Sequence, residues 1–267
     1  MTRVSVVLAV LDAAPYLETS LQSLLDQTRP DVELIVVEHG PRHPVITDAL
    51  SLGEQAPWRL TLMDAPAPCL SEALNAGAAA ASGELVMFLN AQDAYLPQRV
   101  ATFARAYENT LRPEVFWGFS GVEILDPKNP QARTRDMEQR FSQHAMRGIW
   151  SSELLSGHNL VMRAGNLAVA RALFAATGGF AAEATGAEWA LALELSLYAT
   201  PFVPGRPLYA WVDTEPEQAT VTGGGTVRAG YLEQRRRHLA SESLLSAGLP
   251  GAEYLRARYQ LLAPASL

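Results

Sequence analysis

The chain opens with short unbroken apolar runs separated by stretches in which apolar residues recur at helix spacing. Val4–Val10 is a continuous β-branched and aliphatic run, the pattern of a parallel strand covered on both faces. Pro15 opens a helical pattern carried by Leu17, Leu21, Leu24 and Leu25, and Thr28-Arg29-Pro30 stops it. Residues 32–37 read as a second buried strand, 45–54 as a weaker helix and 59–63 as a third strand. An alanine-rich helix over 71–82 ends at Gly83; a fourth strand covers 85–89 and a fourth helix 97–110. Four strands alternating with four helices predict a doubly wound α/β half with a parallel sheet. Right-handed crossovers place all strand C-termini on one edge, where such sheets bind ligands. The polar residues after each strand therefore matter most: Asp12, Glu38-His39, Asp64 and residues 90–93.

The second half is less regular. Residues 115–125 read as one strand, 126–143 as a polar surface excursion and 161–169 as short strands. A short helix is expected over 171–177, a longer one over 187–198 and extended chain over 202–212. Gly223-Gly224-Gly225 then precedes two helical stretches, about 228–246 and 252–262.

Composition narrows the chemistry. With 267 residues, 48% hydrophobic and 18% charged, the chain is an ordered protein able to bury a core without a staple. Cys69 is the single cysteine, which excludes an intrachain disulfide framework and a Cys-rich zinc site. A net charge of −7 argues against general nucleic-acid binding. The one lysine, Lys128, stands in no phosphate-loop motif, and no G-x-G-x-x-G turn follows a strand. His39 and His43 are four apart, but Gly40 and Pro41 between them forbid a metal-binding helix. No run of about 18 apolar residues is present, so no transmembrane segment is expected. Asp12 interrupts the first apolar run, so that run is a buried strand and not a signal peptide. One thiol and no export signal make the cytoplasm the expected compartment.

Six ordered blocks then resemble a family. Residues 4–12 look like an opening strand and a "P-V-Y-N" turn, and Tyr16-Leu17 with 21–28 match a "Y-L…L-x-S-L-L-x-Q-T" helix. Residues 33–40 are similar to "E-I-I-V-V-D-D-G-S", and Ala73-Leu74-Asn75-Ala76-Gly77 with 81–84 to "A-R-N-x-G…A-x-G-E". Phe88-Leu89-Asn90-Ala91-Gln92-Asp93 with Pro97 falls on "F-L-D-x-D-D-x-x-x-P", and Gly178-Gly179-Phe180 followed by Glu188-Trp189 on "G-G-F…E-D-W". Over about residues 4–220 the chain resembles a family 2 glycosyltransferase of the GT-A fold. The resemblance implies an α/β protein with a GT-A-like, Rossmann-type nucleotide-binding fold and a mixed central sheet. It divides the chain into a glycosyltransferase domain at 1–220 and a helical C-terminal extension at 221–267 packed on it.

The departures fall on the chemical positions. The family's acidic pair after the second strand, which helps hold the base, is here Glu38-His39, and the base-stacking tyrosine is Leu11. The two aspartates that hold ribose and the divalent metal are Asn90 and Gln92, leaving Asp93 as a weak ligand for Mg2+ or Mn2+ if a metal binds at all. Neutral amides supply no charge to offset the desolvation of such an ion. Without metal, the leaving diphosphate needs arginines or helix N-termini, and Arg235-Arg236-Arg237 after the triple glycine are candidates.

The resemblance thus points to Glu188 as catalytic base and to Asp12, Glu38, His39, Asn75, Asn90 and Gln92 as donor-binding residues. The expected function is inverting transfer of a sugar from a nucleoside-diphosphate donor to a hydroxyl of a carbohydrate or lipid-linked acceptor. A homo-oligomer is left open, and no nucleic-acid partner is expected. Because the aspartates are lost, an inactive sugar-nucleotide-binding or partner-interaction protein on the same scaffold stands as the alternative.

Overall fold

A computed structural model describes residues 1–10, 16–38, 44, 46, 58–64, 69–125, 159–182, 186–196 and 198–212. The parallel half follows the apolar runs. Strands β1 (Val4–Val10), β2 (Glu33–Glu38) and β4 (Leu85–Asn90) are buried along their whole length, while β3 (Arg59–Asp64) is a partly exposed edge. With β8 (Ala168–Ala170) and β6 (Trp117–Gly118) they form a six-stranded sheet in the order β3-β2-β1-β4-β8-β6. The first four strands are parallel, whereas β8 runs antiparallel to both β4 and β6. The central sheet is therefore mixed.

Helix α1 (Leu17–Leu25) does more than cover this sheet. Its Leu17, Leu21 and Leu24 enter the core, and its buried polar residues stitch down the chain that follows β4. Ser20 Oγ donates to the Asp93 carbonyl at 2.7 Å, and Ser23 Oγ accepts the Tyr95 N–H at 3.1 Å. Gln27 donates to the Leu96 carbonyl and accepts the Val100 N–H, each at 3.0 Å. Helix α2 (Leu70–Ala80) lies so close to the sheet that a Cβ on Gly77 would overlap Val7 and come within 3.0 Å of Val37.

Two expectations need correction. Residues 115–125 form two strands, not one: β6 belongs to the central sheet and β7 (Gly121–Leu125) to a second sheet. The break has a packing cause, since Gly118 lies against the Phe202 carbonyl and Ser120 is bound by Asn166 and Arg99. The second sheet has the order β5-β9-β7, with β5 (Ala94–Tyr95) and β9 (Pro207–Val212) antiparallel and β7 and β9 parallel. Residues 164–166, expected as strand, form a 3-10 turn against β4. Helices α3 (Arg99–Asn109), α4 (Arg171–Ala176) and α5 (Ala187–Leu195) appear where the periodicity places them. The expected excursion at 126–143, most of the helix at 45–54 and the C-terminal extension lie outside the described residues. Among the described residues no helix is long and apolar enough to cross a membrane.

Candidate active site

The C-terminal edge of the parallel strands carries a row of polar side chains. Strand register aligns Glu38 with Val10 on one side and Asp64 on the other, and Asn90 with Ala9. Glu38 and Asn90 are both buried. Asp12 and His39, expected next to them, lie outside the described residues, as do Leu11 and Arg235-Arg236-Arg237.

One irregular segment, residues 159–166, ties three of the expected site residues together. Asn90 Oδ1 accepts the Gly165 N–H at 3.0 Å. Arg163 Nε lies 3.4 Å from Asp93 Oδ2. Asn159 Nδ2 donates to Glu188 Oε1 at 2.9 Å. The segment can approach this closely because residue 165 is glycine: a Cβ there would overlap the Tyr209 hydroxyl and sit 2.9 Å from Asn90. It also holds Met162 at φ 66°, where a non-glycine residue costs about 1–3 kcal/mol. Arg163 N–H donates to the Val161 carbonyl at 2.8 Å across that residue, a γ-turn with positive φ. Asn159 Oδ1 fixes the turn by accepting the Met162 N–H at 3.0 Å.

Glu188 stands in the first turn of α5, which Gly186 enters at φ 76°. Burial pushes its carboxyl above the ordinary glutamate range; its own helix N–H, the Asn159 amide and the charge of Arg163 oppose that rise without cancelling it. A carboxylate so placed is a stronger base than an exposed glutamate.

Asp93 is fully buried. Its Oδ2 accepts the Tyr209 hydroxyl at 2.6 Å as well as facing Arg163. Burial, and then Asp93 itself, push the Tyr209 phenol well above its ordinary value, so it remains a donor. The donor set does not suit a hard divalent ion: Asn90 and Gln92 are neutral, and the Asp93 carboxylate is engaged by a phenol and a guanidinium. Among the described residues no group of three or more His, Cys, Asp or Glu side chains is assembled for a metal.

Asn75 stands apart from this cluster. Its amide donates to the Phe180 carbonyl at 2.8 Å and accepts the Phe180 N–H at 2.9 Å. It thereby fixes the Gly178-Gly179-Phe180 turn, whose phenylalanine packs edge-on against Phe88 of β4. Gln92 is half-buried between Asn90 and Asp93. Asn159, Arg163 and Tyr209 are the residues that sequence reasoning missed. They come from an irregular segment and from β9, and the mixed Asn-Leu-Val-Met-Arg-Ala-Gly run at 159–165 carries no period that marks it.

Comparison with known proteins gives the family and the fold. Residues 5–164 fit the family described as Glycosyl transferase family 2, and the chain belongs to that family. It is 31% identical over 124 residues to an uncharacterized glycosyltransferase of Nostoc sp., covering 46% of this chain and 38% of that protein. An uncharacterized glycosyltransferase of Rickettsia prowazekii is 27% identical over 143 residues, covering 54% and 43%. The matched region thus spans less than half the length of these curated relatives. Among solved structures, S. aureus TarS 1-349 superposes with a TM-score of 0.58 at 13% identity, over 97% of this chain and 70% of that one. The mannosyltransferase PcManGT from Pyrobaculum calidifontis, in complex with GDP-Man and Mn2+, gives a TM-score of 0.54 at 19% identity, over 98% and 80%. At these identities the superpositions establish the shared GT-A fold.

Proposed function

We propose that this chain transfers a sugar from a nucleoside-diphosphate donor to a hydroxyl acceptor with inversion at the anomeric carbon. The observation that carries this is Glu188: a carboxylate at the head of α5, oriented by Asn159 and made more basic by burial. The acceptor oxygen attacks the anomeric carbon as the bond from that carbon to the diphosphate oxygen breaks. The hydroxyl proton passes to Glu188, and the electron pair of the broken bond leaves with the nucleoside diphosphate. The donor lies along the C-terminal edge, with Glu38, Asn90 and Gln92 beside it and Asp12 and His39 following the same strands in sequence. Asn75 serves this site by holding Phe180.

A TarS structure exists in complex with UDP-GlcNAc, and the mannosyltransferase was solved with GDP-Man. UDP- and GDP-sugars are therefore the donors to try first. The acceptor is a carbohydrate or lipid-linked hydroxyl. The neutral Asn90 and Gln92 favour a second reading, a sugar-nucleotide-binding protein without turnover. Incubation with donor and acceptor panels, followed by product analysis for anomeric configuration, separates the two. A β-linked product from an α-linked donor supports inversion. Tight donor binding without turnover across the panel supports the second reading.

A further inference from the structure

We propose that Arg163 is the resident cation of the donor site, holding the donor diphosphate directly, so that nucleotide binding needs no divalent ion. The inference rests on the C-terminal edge being a sugar-nucleotide site, as proposed above. Four observations converge on this side chain. First, its Nε is turned to Asp93 at 3.4 Å, and among the described residues neither Nη has a hydrogen-bond acceptor. A planar guanidinium anchored at Nε presents its remaining N–H groups as a fork, the geometry that suits phosphate oxygens. Second, the guanidinium carbon lies 4.8 Å from the Trp211 ring centroid, which fixes its plane and removes water from one face. The side chain is only 14% exposed, so a charge there acts through a weakly screening medium while staying reachable.

Third, its position is built. The γ-turn at Met162, with its positive φ, sets the direction of Arg163, and the Asn159 amide that holds the turn also holds Glu188. One short segment thus delivers a cation and orients the proposed base. Fourth, the neighbouring Asn90 and Gln92 are neutral, and the Asp93 oxygen that faces Arg163 is shared with the Tyr209 hydroxyl. A pair of aspartates would need a divalent ion to bring the site to neutrality. One aspartate beside one arginine is already neutral, so Asp93 presents no uncompensated charge to an incoming diphosphate.

The test measures binding of UDP and GDP, and of uridine and guanosine, by calorimetry and ligand-observed NMR, in EDTA and in Mn2+. The proteins are wild type, Arg163→Met and Arg163→Lys, each checked by its melting temperature. Wild type is expected to bind one diphosphate with the same affinity in both buffers. Arg163→Met should weaken that diphosphate roughly ten- to hundred-fold, and leave the matching nucleoside unchanged. Arg163→Lys keeps the charge but not the fork, so it should lose less, and it carries the comparison if the methionine variant does not fold. Wild-type binding that requires Mn2+ overturns the inference while leaving the donor site in place. So does a loss that falls equally on nucleoside and diphosphate, because that marks a structural role. Wild type that binds neither diphosphate in either buffer overturns the donor-site reading and this inference with it.

Discussion

Glu188 and Glu33 are both carboxyls drawn out of water, and their surroundings push them in opposite directions. For Glu188 burial prevails and raises the carboxyl; for Glu33 burial also acts upward, but hydrogen bonds from Ser5, Ser82 and Gly83 outweigh it. Protonation of Glu188 is thus favoured in the folded state. Its contribution to stability is full below the unfolded value and is lost as pH rises through the higher folded value. Glu188→Gln removes that penalty and keeps an oxygen for the Asn159 amide, so stability at neutral pH should hold or rise slightly. Turnover should fall about 10²–10⁴-fold, and the acid limb of the wild-type kcat/KM profile should lie above the ordinary glutamate range. A folded Glu188→Gln enzyme with unchanged turnover removes the base assignment. Glu33, with its depressed carboxyl, has the opposite sign: its stability is present above the unfolded value and lost as pH falls through the folded one. Thermal unfolding between about pH 3 and 6 should therefore show a shallower acid loss for Glu33→Gln than for wild type.

At the scale of elements, the 159–166 segment sets the site and is the part the sequence hid. Its prediction concerns Met162, at φ 66°. Alanine and glycine both remove the side chain, and glycine in place of alanine is ordinarily the less stable by about 0.5–1 kcal/mol. With positive φ the order should reverse, Met162→Gly exceeding Met162→Ala by about 1 kcal/mol in urea denaturation. Alanine the more stable of the two would mean that the turn relaxes in solution. What was legible follows from length and pattern. β1, β2 and β4 are continuous apolar runs of six or seven residues, and the helices between them keep helix periodicity. β5 and β6 have two residues each, too few for any period to register. Asn90, Asp93 and Glu188 were reachable because ordered motifs flank them. Asn159, Arg163 and Tyr209 were not, because their roles depend on a turn whose backbone the side-chain pattern does not record. The split at Phe119-Ser120 was equally silent, since its cause is a contact with Phe202 and Asn166, both distant in sequence.

Across the whole molecule, the two sheets meet around one buried polar network. Tyr209 of the three-stranded sheet donates to Asp93, which follows the central strand β4. Arg99 of α3 is fully buried and lies over the rings of Tyr95, Phe103 and Tyr209 at 4.7–5.3 Å. It donates to Ser120 Oγ, Asn166 Oδ1 and the Asn166 carbonyl at 2.7–3.0 Å, all neutral acceptors. Burial lowers the affinity of this guanidinium for its proton, and the two neighbouring tyrosines oppose that. The ring faces and three acceptors compensate a charge that burial alone would expel. Asn166 belongs to the same 159–166 segment that reaches Asn90, Asp93 and Glu188, so the site's geometry depends on this junction. Tyr209→Phe should cost about 1–3 kcal/mol, because it takes a donor from a buried carboxylate. Arg99→Lys keeps the charge but abandons part of the fork, and should cost about 2–4 kcal/mol. If the network is one unit, the second change falls on a junction already loosened. The double variant should then lose less than the sum of the singles, by about 0.5–3 kcal/mol in denaturant unfolding. Additivity within about 0.5 kcal/mol would show that the sheets are held independently, and that the site does not rest on their junction.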